Sequence, residues 1–103
     1  MKFEEQKIIV RLGEGDEQAI VTFIEPLENE RLQIVELGKE NIRKALQFVY
    51  KNCVKVENLF YENSAVTVDD IRSGNVRGTI ADAIVIGYFA AITTSPDSAE
   101  KKD

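Results

Sequence analysis

TIADAIVIGYFAAITT, residues 79 to 94, is the most apolar part of the chain, and its reading decides the fold. Thr79 is placed to cap a helix with Asp82 three residues on, where a carboxylate also favours the positive end of the helix dipole. Thr93, Thr94 and Ser95 lead into Pro96, which cannot continue a helix and pushes its predecessor toward an extended conformation. About four turns result. Ile80, Ala81, Ile84, Tyr88 and Ile92 make one face, while Ala83, Val85, Ile86, Phe89 and Ala90 fill most of the others. Such a helix must be covered on more than one side. It is too short for a membrane span, which needs about 20 apolar residues. Two readings stay open: a central core helix, or a core helix whose outer face also contacts a second subunit or a partner.

The surrounding sequence bounds what this helix can belong to. At 103 residues the chain has room for one core and little for a second. Its 44% hydrophobic and 30% charged residues are ordinary for a soluble globular protein. A net charge of -5 argues against a nucleic-acid partner, which would need a concentrated basic face; Arg43, Lys44 and Lys51 read as a solvated helix side. The single cysteine, Cys53, excludes an internal disulfide framework, reads as a small core residue and fits a reducing cytoplasm. The opening MKFEEQK lacks the apolar run of a signal peptide.

In chain order, Ile8, Val10 and Leu12 share one face of a strand. Ala19, Val21 and Phe23, or alternatively Ile20 and Ile24, do so in a second. The intervening GEGDEQ supplies glycines that tolerate positive φ and an aspartate suited to a turn, so the pair reads as a β-hairpin. As a phosphate cradle this loop would be self-defeating, because Glu14, Asp16 and Glu17 repel phosphate. Pro26 ends the second strand. Residues 27–37 permit helix or strand, with helix favoured by Glu28, Glu30 and Arg31 and by Gly38 as a C-terminal cap. Helical spacing of Ile42, Ala45, Leu46, Val49 and Cys53 predicts a helix from Lys39 to about Asn52, widened by Phe48 and Tyr50. Residues 54–61 read as its continuation or as a separate short helix. A Thr67-x-x-Asp70 cap and a stop at Ser73 and Gly74 frame another short helix from Val68 to Arg72. The tail SPDSAEKKD, residues 95–103, is polar and is expected to be disordered.

Catalytic candidates are scarce. Without histidine, serine triads, His-ligated zinc and imidazole acid-base chemistry are excluded, and a cysteine nucleophile lacks its usual base. Asp69 and Asp70 read as a helix N-terminus rather than a metal pair, and the tyrosines as core or interface aromatics. No catalytic residue, cofactor or metal is expected, and the protein reads as a non-enzyme.

The order of parts resembles the small tail assembly chaperones of long-tailed bacteriophages. The shared parts are a hairpin ending in VTFIEP, a charged amphipathic helix, VTVDDIRSG leading into a last apolar helix, and a polar tail ending AEKKD. The likeness lies in layout, size and acidity, without a diagnostic motif. It implies a non-enzymatic protein, in the host cytoplasm, that binds the tape-measure protein and helps tail-tube subunits assemble around it. It also implies a longer second form made by a translational frameshift, for which Lys101 and Lys102 mark the candidate site.

The expectation is therefore one α+β domain over residues 1–94, an N-terminal β-hairpin followed by a small helical domain around the central apolar C-terminal helix. It would be a homo-oligomer that binds protein through Val85, Ile86, Phe89 and Ile92, with Phe48 and Tyr50 as neighbours, and would engage neither nucleic acid nor membrane. The alternative is a small cytoplasmic enzyme or ligand-binding domain with a pocket beside the hairpin. A deep polar pocket with two or more acidic side chains would favour that alternative, and a flat apolar patch would favour the binding module.

Overall fold

The structure, a computed structural model, describes residues 1–93; the stop at Pro96, the polar tail and Lys101 and Lys102 lie outside the described residues. Strands β1 (Lys7–Leu12) and β2 (Ala19–Ile24) form the expected antiparallel hairpin, with Val10 opposite Val21 and Leu12 opposite Ala19. Alternation fixes which face is inward: Val10 on β1, and Ala19, Val21 and Phe23 on β2, are all buried. Gly13 and Gly15 take positive φ in the connection, where only glycine does so freely.

A third strand corrects the sequence reading. Residues expected to be helical form β3 (Cys53–Glu57), which pairs antiparallel with β2, so β2 is the central strand of the sheet β1-β2-β3. Thr22 lies opposite Lys55 and Phe23 opposite Cys53, leaving Val54 without a partner in a bulge. Cys53 points inward, while Lys55 and Glu57 are exposed. The hairpin and the helices that follow it contribute to one core, in the expected α+β arrangement. A second, two-stranded sheet follows, β4 (Phe60–Tyr61) against β5 (Ser64–Ala65).

Of residues 27–37, all but Leu27, which stands extended before the first turn, are helical within α1 (Glu28–Glu40). Glu30 accepts from the backbone N–H of Leu27 at 3.3 Å, a bond that leucine cannot return, and it is also ion-paired with Lys51. Gly38 is not the expected cap. It lies inside α1, where an added Cβ would collide with the ring of Phe89. The break comes at Asn41, whose extended backbone (φ -159, ψ 113) ends α1 and whose side chain accepts from the Arg43 N–H at 3.0 Å. That bond starts a 3-10 turn, Ile42–Ala45, which runs into α2 (Leu46–Tyr50). One predicted helix is thus two pieces with a corner between them.

Helix α3 (Val68–Ser73) has the predicted reciprocal cap. Thr67 Oγ1 accepts from the Asp70 N–H at 3.1 Å, Asp70 Oδ2 accepts from the Thr67 N–H at 3.0 Å, and Gly74 closes the helix at φ 74. From α3, Arg72 Nε donates to the Cys53 carbonyl at 2.8 Å, tying that helix to β3. The last helix, α4, spans Gly78–Thr93 and starts one residue before the predicted cap: the Ala81 N–H already bonds to the Arg77 carbonyl. Asp82 does not serve a cap at Thr79. It pairs with Arg43 of the 3-10 turn at 2.8 Å. Helix α4 crosses the sheet at β1, where Gly87 lets Val10 approach so closely that a Cβ would sit 2.5 Å from its methyl. One residue on, Tyr88 meets Phe23 edge to face, with ring centroids 5.1 Å apart at 84°. Val10, Val21, Phe23, Ile34, Ala45, Val49, Cys53, Ile71, Ile84 and Tyr88 form the main core. A buried aliphatic or aromatic side chain of this kind contributes roughly 1.5–3 kcal/mol.

Candidate functional site

Two contacts fix how α4 is rotated about its axis. Gly87 rests on Val10 and Tyr88 on Phe23, and the residues one and two turns earlier on that side, Ile84, Val85 and Ala81, are also buried. At 100° per residue, positions 79, 83, 86 and 90 then share the opposite side. Thr79, Ala83, Ile86 and Ala90 are all exposed, and Ile86 retains 60% of its accessible surface. The outer side of α4 is thus an apolar strip of small residues around one isoleucine, with the Arg43–Asp82 ion pair beside its N-terminal half.

Of the residues expected to form a contact surface, only Ile86 stands on this strip. Val85 is fully buried, packed with Leu46 and Ala81 in a small satellite cluster, so it cannot contribute to the exposed surface of a single chain. Phe89 lies half-buried over Gly38 and packs on the same cluster, as does Tyr50. Ile92 and Phe48 are partly buried against the main core. The structure brings Val85, Phe89 and Tyr50 together, but inside the fold rather than outside it. Ala83 and Ala90, which the sequence reading put on the other faces of the helix without naming them as contact residues, are the ones that flank Ile86. Their signal is the i, i+3, i+4 spacing from Thr79, which composition alone hides in a helix that is apolar all round.

Burial and ion pairing shift five titratable groups among the described residues. Cys53 is fully buried, and burial pushes its thiol above the ordinary range, the opposite of an activated nucleophile. Burial also pushes up the phenol of Tyr50. The Tyr88 phenol is raised to about 12, chiefly by burial and secondarily by the nearby Glu30 carboxylate, and its oxygen has no hydrogen-bond partner among the described residues. Glu30 itself is held low by its hydrogen bond from Lys51, against a smaller opposing effect of burial. Glu28 is likewise held low by Arg31, which donates to it at 2.8 and 2.9 Å.

Two surface depressions accompany the strip. An open cleft of about 450 Å³ lies between the β4–β5 hairpin and the corner joining α3 to α4, with Asp70 as its one acidic lining residue. A shallower one of about 290 Å³, lined by Leu32, Gln33, Glu36 and Leu37, lies on α1. Neither combines depth with two acidic side chains, and the larger stands beside the second hairpin rather than the N-terminal one. Among the described residues no cluster of three or more potential metal ligands occurs, and no helix is long and apolar enough to cross a membrane. No protein-family model matches the chain, and no curated protein or solved structure matches it.

Proposed function

We propose that this protein is a non-enzymatic, cytoplasmic protein-binding module that self-associates and engages its partner through the outer side of α4. The observation that carries the reading is the uncovered strip Ala83, Ile86 and Ala90 on a helix whose other sides are occupied. An isoleucine between two alanines gives a projecting side chain with shallow recesses on both sides, a shape that another helix can pack into with little loss of side-chain entropy. The layout that resembles the phage tail assembly chaperones supplies the partner: the tape-measure protein, with tail-tube subunits recruited through a longer, frameshifted form.

Two measurements test this. Co-expression with a tape-measure protein encoded beside the gene should give a complex that co-purifies, and Ile86→Asp should abolish it while leaving the melting temperature of the isolated chain unchanged. Capture that survives Ile86→Asp would remove α4 from the binding surface. In the gene, the codons of Lys101 and Lys102 should form an A-rich slippery run with the -1 frame open well beyond Asp103. A stop codon directly after them would remove the long form.

A further inference from the structure

The cleft between β4–β5 and the start of α4 has features that the core does not require. Phe60 and Tyr61, the two residues of β4, are both exposed. The turn joining β4 to β5 holds Glu62 at φ 55, a left-handed conformation that a glutamate adopts only under constraint. Arg77 lies with its Cζ 4.9 Å from the centroid of the Tyr61 ring, and among the described residues no carboxylate is within ion-pair distance of it, in a chain carrying 18 acidic residues. Stacking on a ring face leaves the in-plane N–H donors of a guanidinium available. Asp70, the acid that lines the cleft, is already engaged by the Thr67 N–H. Ala65, Val66, Val76 and Ile80 supply the apolar part of the lining.

The backbone adds a second set of donors and acceptors. Tyr61 faces Ser64 across the turn, Phe60 faces Ala65, and the Val66 N–H bonds to the Leu59 carbonyl at 2.8 Å. Bonded and non-bonded pairs alternate along an antiparallel ladder, so the N–H and C=O of Ala65 point away from β4. The cleft is bordered by three successive residues of this strand, Ser64, Ala65 and Val66. An unpaired strand edge beside an unpaired guanidinium suits a ligand with an extended backbone and a carboxylate.

We propose that this cleft receives an extended, carboxylate-bearing segment of another protein, which adds to the free edge of β5 at Ala65 and places its carboxylate on Arg77. Tyr and Arg are the residue types on which binding energy concentrates at protein contacts, and the volume lies within the range of small binding sites. The proposal shares with the proposed function only the premise of a protein partner; its residues are distinct from the α4 strip, so either can fail alone.

The test is an NMR titration of the isotope-labelled full chain with the capped tripeptide acetyl-Val-Glu-Val-amide. Saturable shifts should centre on Ser64, Ala65, Val66, Asn75 and Arg77. Replacing the peptide's Glu by Gln, or Arg77→Gln in the protein, should weaken binding about tenfold, the loss expected for one charge-assisted hydrogen bond. Glutarate, which has carboxylates but no strand backbone, should not saturate the site, and Ile86→Asp should leave peptide binding unchanged. Absent or scattered shifts, indifference to either Gln replacement, glutarate binding as well as the peptide, or loss of binding in Ile86→Asp would each overturn the proposal.

Discussion

Replacing Tyr88 by Phe removes one oxygen from the centre of the core and should stabilise the protein. Tyr88 is fully buried, its ring is held edge-on against Phe23, and its hydroxyl has no hydrogen-bond partner among the described residues. Phenylalanine keeps the ring and that contact. The hydroxyl, by contrast, has exchanged water for an apolar surrounding without compensation, a loss of about 1–3 kcal/mol per buried unsatisfied group. Part of this is offset by the small void left behind, so a net gain of about 1 kcal/mol at neutral pH is expected.

The same substitution carries a pH signature. The Tyr88 pKa is raised to about 12 in the folded protein, against an ordinary value of 10. Between those values the folded chain keeps a proton that the unfolded chain has lost, so the contribution is fully present below pH 10 and disappears as pH rises toward 12. One pH unit inside the window corresponds to about 1.4 kcal/mol, and the whole window to about 2.7 kcal/mol. Urea denaturation of both proteins at pH 7, 9, 10 and 11 would measure this. The stability difference should be flat to about pH 10 and then widen in favour of the Tyr88→Phe chain by about 1 kcal/mol at pH 11. Contributions common to both proteins cancel in the difference. If Tyr88→Phe instead loses about 1 kcal/mol or more at neutral pH, the hydroxyl has a partner and the reasoning fails.

Four further substitutions test the packing and the α3 cap. Gly38→Ala should destabilise by about 1–3 kcal/mol through collision with Phe89, although alanine is the better helix former by about 1 kcal/mol; a raised thermal midpoint would show that the Phe89 ring moves freely aside. Ile84→Ala in the core should lose about 2–5 kcal/mol, whereas Ile86→Ala on the exposed strip should stay within about 0.5 kcal/mol for the isolated chain and instead reduce the mass seen by light scattering; equal losses in urea would contradict this division of α4. Thr67→Ala should lose about 1 kcal/mol with the α3 cap, and an unchanged denaturation midpoint would mean that the Asp70 bond to the Thr67 N–H suffices alone.

Where local chemistry decides the conformation, the sequence is readable. The β1–β2 hairpin follows from period-two alternation on both sides of a glycine-bearing turn, and α3 from a cap and a stop that are both side-chain and backbone effects within one turn. Reading fails where a distant partner decides. In β3 the residues Lys55, Val56 and Glu57 run exposed, half-buried, exposed, but the bulge at Val54 puts buried Cys53 two positions from exposed Lys55 and breaks the period-two pattern, while Cys53 also continues the helical stripe of Ala45, Leu46 and Val49. Pairing with β2, some thirty residues earlier, selects strand. Asn41 is a local signal that the helical spacing around it obscures. Its side chain offers the Arg43 N–H an alternative acceptor, which ends one helix and starts the next turn.

The glycines explain why the surface of α4 is only partly legible. In a helix that is apolar on every side, hydrophobicity does not indicate the direction of the core, and bulk points the wrong way: Val85 and Phe89 look like contact residues and lie inside or half-inside. Direction is set by where backbones must come close. Gly87 lies against Val10, and Gly38, on a different helix, makes room for Phe89. Given those two close approaches, one side of α4 faces the sheet and a flank faces α1, and the line through Thr79, Ala83, Ile86 and Ala90 is left exposed. A glycine that reads locally as a helix terminator or a weak spot thus acts, in the folded chain, as the mark of the side that is already occupied.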